Sequence, residues 1–378
     1  MKILAIETSC DDTGVALAEV TEDGVRIISS ALSSQDDVHR QWGGVYPTEA
    51  KREHQQNLFP AFLKVVTESG LVIKEGLSLP DSLEDVLRRE PVLLKSFKDF
   101  FAENSVSGID AIAVTRGPGL EPCLFVGVNF ARALSLSLNT PIIPVNHIKA
   151  HLLFFLQEKT SVTFPAVALV VSGGHTELVL MESPSSFQLL GRTRDDAAGE
   201  CLDKTARILN LGYPGGPLIA KKAATAREED LGMVSLPRPM QHTDNFDFSF
   251  SGLKTAVLYD YNKRSEEERG DERYICAMAK EIEEAVTDVL LFKVKKAVQK
   301  HGVKTVIMGG GVTANKRLRE KALFLQEEFD SLQILFPPPG LSTDNAEMIA
   351  IAASAEKERW STKQLSPDAN LKIYDIIG

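Results

Sequence analysis

Two blocks of apolar and polar positions along the chain follow the same pattern. In each, a short apolar run is followed by a turn rich in Ser, Thr, Asp or Gly, and then by a second apolar run. The blocks extend from Lys2 to Val20 and from Phe164 to Met181. Such a pattern predicts a β-hairpin. We therefore predict two hairpins of one design, each near the start of one half of the chain, whose turns can bind phosphate through backbone N–H groups.

The remaining apolar positions predict strands that alternate with helices, which is typical of an α/β protein. Further strands are predicted at 25–33, 109–115 and 141–145, and a long amphipathic helix at 272–300. The charged segment at about 72–107 has apolar residues at helical spacing. We predict that it is a helical insertion on the surface.

Composition narrows the class of protein. The chain has 378 residues, 43% hydrophobic and 25% charged, which predicts a globular protein of two domains or lobes. Its formal net charge of −10 means that any nucleic-acid contact must be local. The four cysteines form no C-x-x-C pair, which fits a reducing compartment. No signal peptide or membrane-spanning run is evident, so we expect a soluble, cytoplasmic protein without a membrane partner.

A pair of histidines follows the apolar run at 141–145. His147 and His151 are four residues apart, so in a helix they lie on one face and can bind one metal ion. The competing interpretation is two surface histidines, because the glutamate of a metalloprotease helix is absent and Lys149 lies between them. A metal site also needs a third ligand, usually a carboxylate for zinc or ferrous iron.

A run of three glycines separates another strand from a helix. Gly309-Gly-Gly follows the apolar run at 305–308 and precedes a helix that begins at about Lys316. Glycines at this place let the backbone approach a ligand closely, with a helix N-terminus behind it. The run indicates nucleotide binding, and a plain tight turn is an equally good interpretation.

Taken in order, the motifs of this chain resemble those of one family, the tRNA threonylcarbamoyladenosine synthases of the bacterial TsaD type. The matching motifs span nearly the whole chain: Ile6-Glu-Thr-Ser-Cys-Asp-Asp-Thr, Trp42-Gly-Gly-Val-Tyr-Pro, Gly117-Pro-Gly-Leu, His147-x-x-x-His151, Val171-Ser-Gly-Gly-His-Thr, Asp195-Asp-Ala-Ala-Gly-Glu, Asp203-Lys-Thr-Ala, Tyr213-Pro-Gly-Gly-Pro-Leu, Phe248-Ser-Phe-Ser-Gly-Leu-Lys-Thr, Gly309-Gly-Gly-Val-x-Ala-Asn315 and Thr343-Asp-Asn.

The resemblance implies the actin-like ATPase fold of sugar kinases and heat-shock chaperones. In that fold two RNase H-like lobes surround a nucleotide and metal cleft. The expected first lobe comprises residues 1–164 with 345–378 and carries the insertion at about 72–107. The expected second lobe comprises residues 165–344.

The resemblance also implies the site residues. Asp344 matches the family's metal carboxylate, so one Fe²⁺ or Zn²⁺ per subunit is expected on His147, His151 and Asp344. The expected adenylate-binding residues are Val171, Ser172, Gly173, Gly174, His175, Asp203, Gly216 and Asn315. Glu7, Asp11 and Asp12 of the first turn are candidates for catalysis, and their alternative role is turn chemistry.

The implied reaction transfers a threonylcarbamoyl group from threonylcarbamoyl-AMP to N6 of adenosine 37, in tRNAs that read codons beginning with A. ATP or ADP is a further possible occupant of the same site. The implied partners are tRNA, a degenerate paralogue of the TsaB type and a small ATPase of the TsaE type, and a separate synthase makes the donor. Surface candidates for tRNA contact are Arg192, Arg194, Lys221 and Lys222.

Three other functions compete with this interpretation. A sugar or carboxylate kinase on the same fold would not need the histidine pair and Asp344. A metalloprotease would need a glutamate general base beside the histidines, and none is present in the motif. A partner protein that only binds nucleotide would not need the complete set of metal ligands.

Overall fold

The chain forms two compact units. The computed structural model describes residues 1–158, 160–230, 232–356, 360–362 and 365–374. One unit comprises Met1–Val38, Val45–Ser161 and Thr343–Gly378, and the other comprises His39–Gly44 and Val162–Ser342. We call them unit 1 and unit 2.

The helices and strands alternate along the described chain. The strands are β1 (Lys2–Glu7), β2 (Thr13–Thr21), β3 (Gly24–Ser33), β4 (Val72–Ile73), β5 (Ser105–Val106), β6 (Ala111–Gly117), β7 (Ile142–Asn146), β8 (Ala166–Val171), β9 (Thr176–Ser183), β10 (Ser186–Arg192), β11 (Thr305–Gly309) and β12 (Gln333–Leu335). The α-helices are α1 (Asp36–Arg40), α2 (Pro47–Glu68), α3 (Leu83–Val86), α4 (Pro91–Phe101), α5 (Glu121–Leu138), α6 (His147–Leu152), α7 (Ala198–Ile208), α8 (Gly215–Ala223), α9 (Ser251–Lys263), α10 (Glu266–Gly270), α11 (Glu272–His301), α12 (Lys316–Glu327) and α13 (Ala346–Ala355). Short 3₁₀ turns cover Leu153–Leu156, Glu228–Asp230 and Gly311–Ala314.

Each unit is built on a five-stranded sheet of the same topology. The order is β3-β2-β1-β6-β7 in unit 1 and β10-β9-β8-β11-β12 in unit 2. In both sheets three antiparallel strands are followed by two parallel ones. The two predicted hairpins are confirmed: Glu7 pairs with Gly14 across the first, and Val171 pairs with Thr176 across the second.

The central strand of unit 1 is buried on both faces. Helices α2 and α5 pack on one side of the sheet, and α13 packs against β1 and β2. All side chains from Ile3 to Ile6 are therefore fully buried, which explains the continuous apolar run in place of an alternating one. Gly14 allows α13 to approach β2 closely, because a Cβ atom there would lie 2.8 Å from the backbone nitrogen of Ala346.

The predicted surface position of segment 72–107 holds for the outer face of the segment only. One face of this segment belongs to the core of unit 1, where Leu93, Phe97 and Phe101 of α4 are fully buried. The ring of Phe97 packs edge-on to those of Phe59 and Phe130, with centroids 6.4 and 6.2 Å apart. The helical spacing of the apolar residues therefore marks a face that packs inward.

The core of unit 2 contains the long helix α11, together with α7, α8 and α9. Gly310 has a φ of +90°, and a Cβ atom there would lie 2.4 Å from the carbonyl oxygen of Val171. The backbone at Gly310 therefore packs closely against the end of β8, and the three-glycine turn lies next to the hairpin turn that follows β8. None of the helices in the described residues is long and apolar enough to cross a membrane.

Candidate metal centre

The histidine pair lies on a helix that begins where a buried strand ends. Asn146 closes β7 and caps α6: its Oδ1 accepts hydrogen bonds from the backbone N–H groups of Ile148 and Lys149, at 2.9 and 3.1 Å. One turn of helix then separates His147 from His151, whose ring centroids are 4.7 Å apart. The two residues are only 5% and 1% exposed, so the interpretation as surface histidines is wrong.

Asp344 completes the group from a distant part of the sequence. It lies just before α13, which Asn345 caps by accepting a hydrogen bond from the N–H of Met348 at 2.9 Å. Oδ1 of Asp344 is 3.1 Å from Nε2 of His151 and 3.5 Å from Nε2 of His147. The structure thus brings one potential ligand atom from each residue to within 4.8 Å of the others.

Glu7 orients the ring of His147 from behind. Its Oε2 lies 3.2 Å from Nδ1 of His147 and accepts a hydrogen bond of 2.5 Å from the hydroxyl of Thr115. Its Oε1 accepts the backbone N–H of Ser9, also at 2.5 Å, and the Ser9 hydroxyl lies 3.1 Å from Nδ1 of His147. In the neutral ring, a carboxylate at Nδ1 keeps the proton on that nitrogen, so the lone pair of Nε2 is directed towards Asp344 and any cation bound there.

The electrostatics of this group favour a positive charge between the carboxylates. Burial disfavours the charged ring of His147, yet the carboxylates of Asp344 and Glu7 raise its pKa to about 10. Burial likewise opposes ionisation of Asp344, yet the two histidines hold the pKa of its carboxyl well below the usual range. A bound cation would satisfy the same field, because it neutralises buried carboxylates without protonating a ring.

The donor set fits zinc or ferrous iron. Metal–nitrogen and metal–oxygen bonds of about 2.0–2.2 Å in a tetrahedral site put ligand atoms roughly 3.3 Å apart. The distances of 3.1 and 3.5 Å from Asp344 to the two histidines match that spacing. Two neutral imidazoles and one carboxylate also leave positions for substrate.

Two further acidic residues lie in the same turn as Ser9. Burial, followed by the nearby carboxylate of Asp344, raises the pKa of Asp12 to about 8. Burial also raises the pKa of Asp11 to about 6, and Asp344 adds to that shift. Both carboxyl groups therefore lie within the electrostatic range of Asp344. Nothing in the sequence marks Ser9 and Thr115 as contacts of His147 and Glu7, since a hydroxyl near a strand end carries no distinctive pattern.

The predicted adenylate-binding residues all lie in unit 2. In the turn after β8, the N–H of Ser172 donates to the carbonyl of His175 at 2.8 Å. A Cβ atom at Gly173 or Gly174 would meet open space, so these glycines are not required by local packing.

The other predicted residues partly serve the structure of unit 2. Oδ1 of Asp203 accepts the N–H of Gly215 at 2.7 Å, which fixes the start of α8 next to Gly216. Asn315 caps α12, because its Oδ1 accepts the N–H of Leu318 at 2.9 Å, and its amide donates to Glu283 at 2.8 Å. These contacts hold the predicted residues in place and do not test their role in binding.

Comparison with known proteins gives consistent matches over almost the whole chain. The family model for tRNA N6-adenosine threonylcarbamoyltransferase matches residues 26–76 and 91–351, and leaves 1–25, 77–90 and 352–378 unmatched. The enzyme of that name from Syntrophomonas wolfei is 40% identical over 374 residues, 99% of this chain and 98% of the relative. The one from Persephonella marina is 42% identical, over 99% and 95% of the two chains. A crystal structure of full-length HypF superimposes with a TM-score of 0.50 at 12% identity, over 97% of this chain and 56% of that chain.

Together with the family match, the repeated sheet topology and the group of two buried histidines and one part-buried aspartate identify a metal-dependent enzyme with the actin-like ATPase fold. The chain belongs to the tRNA N6-adenosine threonylcarbamoyltransferase family. It is therefore a transferase that acts on tRNA and forms threonylcarbamoyladenosine. The fold class and the family expected from the sequence are confirmed.

Proposed function

We propose that His147, His151 and Asp344 hold one Fe²⁺ or Zn²⁺ ion, and that threonylcarbamoyl-AMP is the donor for adenosine 37 of tRNAs reading codons that begin with A. The observation that carries this proposal is the convergence of Nε2 of both histidines on Oδ1 of Asp344. The metal, when bound, supplies a Lewis acid for the carbamoyl oxygen of the donor.

The chemistry sets what the protein itself must do. The N6 amine of adenine is a weak nucleophile, because its lone pair is delocalised into the ring. Its attack on the carbamoyl carbon forms a C–N bond, breaks the bond to the phosphate oxygen and releases AMP, while the amine loses a proton. The mixed anhydride is already activated, so no covalent intermediate on the protein is needed. The chain must therefore orient the amine and the donor and accept the proton.

Among the catalytic candidates, Glu7 has a different role from Asp11 and Asp12. Both oxygens of Glu7 are engaged by Ser9, Thr115 and His147, so Glu7 serves to position the ring of His147. Asp11 and Asp12 interact electrostatically with Asp344 and remain our candidates for contact with the reacting groups.

We assign donor binding in unit 2 to Val171, Ser172, Gly173, Gly174, His175, Asp203, Gly216 and Asn315. Support comes from the open space at Gly173 and Gly174, where backbone N–H groups can approach a phosphate. A carboxylate such as Asp203 suits the two hydroxyls of a ribose. ATP or ADP would use the same contacts.

The protein is proposed to act in the cytoplasm with a TsaB-type paralogue and a TsaE-type ATPase, and to receive its donor from a separate synthase. Alone it should turn over slowly or not at all. Robust transfer by the purified chain, given only donor and tRNA, would contradict this part of the proposal.

The central test measures metal content and transfer together. Purified protein is analysed for iron and zinc, and transfer of threonylcarbamoyl from threonylcarbamoyl-AMP to tRNA is followed by nucleoside analysis in the presence of the partner proteins. The double variant His147→Ala/His151→Ala should lose both the metal and transfer. His242→Ala, a histidine of unit 2 beside Phe292, is the matched control and should retain both. Full transfer by metal-free protein would refute the proposal.

A further inference from the structure

A large aromatic side chain lies exposed in the loop between α1 and α2. Trp42 is 55% exposed, whereas the other tryptophan of the chain, Trp360, is 8% exposed. The loop around Trp42 contains two glycines, Gly43 with a φ of +64° and Gly44 with a φ of +159°. Positive φ values of this kind favour glycine, so the conformation of the loop next to the indole depends on these two residues.

Two arginines fasten this loop to the rest of unit 2. The guanidinium of Arg207 donates a hydrogen bond to the carbonyl oxygen of Gly43. It lies so close that a Cβ atom at Gly43 would be 3.1 Å from its Nε. Nε of Arg40 donates to the carbonyl oxygen of Tyr213 at 3.4 Å. Two hydrogen bonds from arginine side chains, at Gly43 and at Tyr213, thus hold the loop; we call Arg207 and Tyr213 its two anchors.

Both anchors belong to segments assigned above to the donor. Arg207 follows Asp203 by one helical turn on α7, and Tyr213 precedes Gly216 by three residues. This step rests on the proposed function, because it takes Asp203 and Gly216 as donor-binding residues. The exposed indole then belongs to the same region of unit 2 as the bound donor, where the acceptor nucleotide must arrive.

The charges favour RNA as the occupant. Arg207 makes no ion pair within the described part of the chain, so its charge is not neutralised by a carboxylate. By contrast, two of the surface candidates from the sequence are paired: Arg194 with Asp247 at 2.5 Å and Lys222 with Glu272 at 2.5 Å. Exposed aromatic rings on positively charged surfaces are a usual means of binding unstacked bases.

We propose that Trp42, on the loop that Arg40 and Arg207 hold, stacks on a single-stranded nucleotide of the acceptor tRNA next to the reactive adenosine. The anticodon loop presents such unpaired bases. Stacking tolerates any base, because every base has a π-face, so Trp42 contributes affinity and orientation and does not select sequence. The contact places the adenine amine relative to the donor.

Intrinsic fluorescence tests the contact directly. In a Trp360→Phe variant, Trp42 is the sole tryptophan. Titration with an anticodon stem–loop RNA labelled at one end follows binding by anisotropy and the environment of Trp42 by emission. We expect emission to be quenched in parallel with binding. RNA that binds without changing the emission, or no binding at low salt, overturns the proposal. Quenching by AMP alone, or by a partner protein with no response to RNA, also overturns it.

Substitutions test the consequence for transfer. Trp42→Ala should weaken RNA binding and raise KM for tRNA about tenfold, while Trp42→Phe should restore most of both. Tyr259→Ala, which removes another exposed aromatic ring of unit 2, should change neither. The affinity of Trp42→Ala for AMP should stay unchanged. An unchanged KM for tRNA in Trp42→Ala overturns the stacking proposal alone, whereas absence of transfer in the wild-type protein counts against the proposed function.

Discussion

Replacing Glu7 by Gln isolates the role of the carboxylate behind His147. The substitution keeps the size of the side chain but replaces the carboxylate by an amide. In the wild type, Oε2 of Glu7 accepts from two donors, the Thr115 hydroxyl at 2.5 Å and Nδ1 of His147 at 3.2 Å. Because Ser9 donates to the other oxygen at 2.5 Å, the amide oxygen is kept on that side. The NH₂ group then faces Nδ1 of His147, and two donors cannot share one hydrogen bond.

The ring of His147 escapes this conflict by moving its proton. If Nδ1 becomes the acceptor, the proton must reside on Nε2, which is the nitrogen that faces Asp344. In the neutral ring of the variant, a protonated Nε2 has no lone pair for a metal, so metal binding must first return the proton to Nδ1, against the amide. Loss of such a supporting carboxylate typically weakens metal binding by about 10- to 100-fold, or roughly 1.4–2.8 kcal/mol.

The assay is a competition titration with a zinc-selective chelator on apoprotein, in parallel for the wild type and Glu7→Gln. Thr115→Val is the matched control, because it removes one donor to Glu7 and leaves the carboxylate at His147 in place. We expect Thr115→Val to weaken metal binding less than Glu7→Gln. Equal metal affinity of Glu7→Gln and the wild type would refute the argument from the tautomer.

Three further predictions address stability and local order. Phe97→Ala should destabilise the protein by about 3–5 kcal/mol in denaturant unfolding, because the ring is fully buried, whereas the exposed Val92→Ala on the same helix should change stability by less than about 0.5 kcal/mol. Glu90 is buried, and burial raises the pKa of its carboxyl group. The protonated carboxyl therefore contributes fully to stability below the pKa of the unfolded state, and this contribution is lost as the pH rises through the pKa of the folded state. Glu90→Gln should raise Tm at pH 7 but not at pH 4, and an equal Tm of variant and wild type at pH 7 contradicts this. His54→Leu removes contacts of 2.7 Å to the Thr13 hydroxyl and 3.0 Å to the Cys10 carbonyl, so it should speed amide hydrogen exchange in residues 8–14. Leu58→Ala, a control at an equally buried position of the same helix, should not speed exchange selectively in residues 8–14.

The elements that could be predicted from sequence are those whose signal is local. Both hairpins followed from the alternation of apolar runs and polar turns, and the structure pairs them as expected. The equal strand order of the two sheets extends that similarity, but no local pattern encodes it, because β6 and β11 join their sheets through long crossover connections.

Segment 72–107 shows what local reasoning leaves out. Charged residues between strands suggested a surface insertion, yet the spacing of Leu93, Phe97 and Phe101 is that of one helical face. Whether such a face meets a core depends on apolar partners elsewhere in the chain, here Phe59 and Phe130. The periodicity indicated the helix, and only the tertiary structure could supply the partner surface.

The metal group combines both kinds of information. Spacing alone placed His147 and His151 on one face of a helix, but it could not decide between surface and interior. Asp344 reaches them because α13 packs against β1 and β2, which brings the start of that helix to the end of the strand that carries Glu7. Because Glu7 reaches His147 from one side and Asp344 from the other, the ring is held by two carboxylates from distant parts of the sequence. A helix with two histidines therefore becomes a metal site only once the sheet is assembled, and metal binding should depend on the folding of unit 1 as a whole.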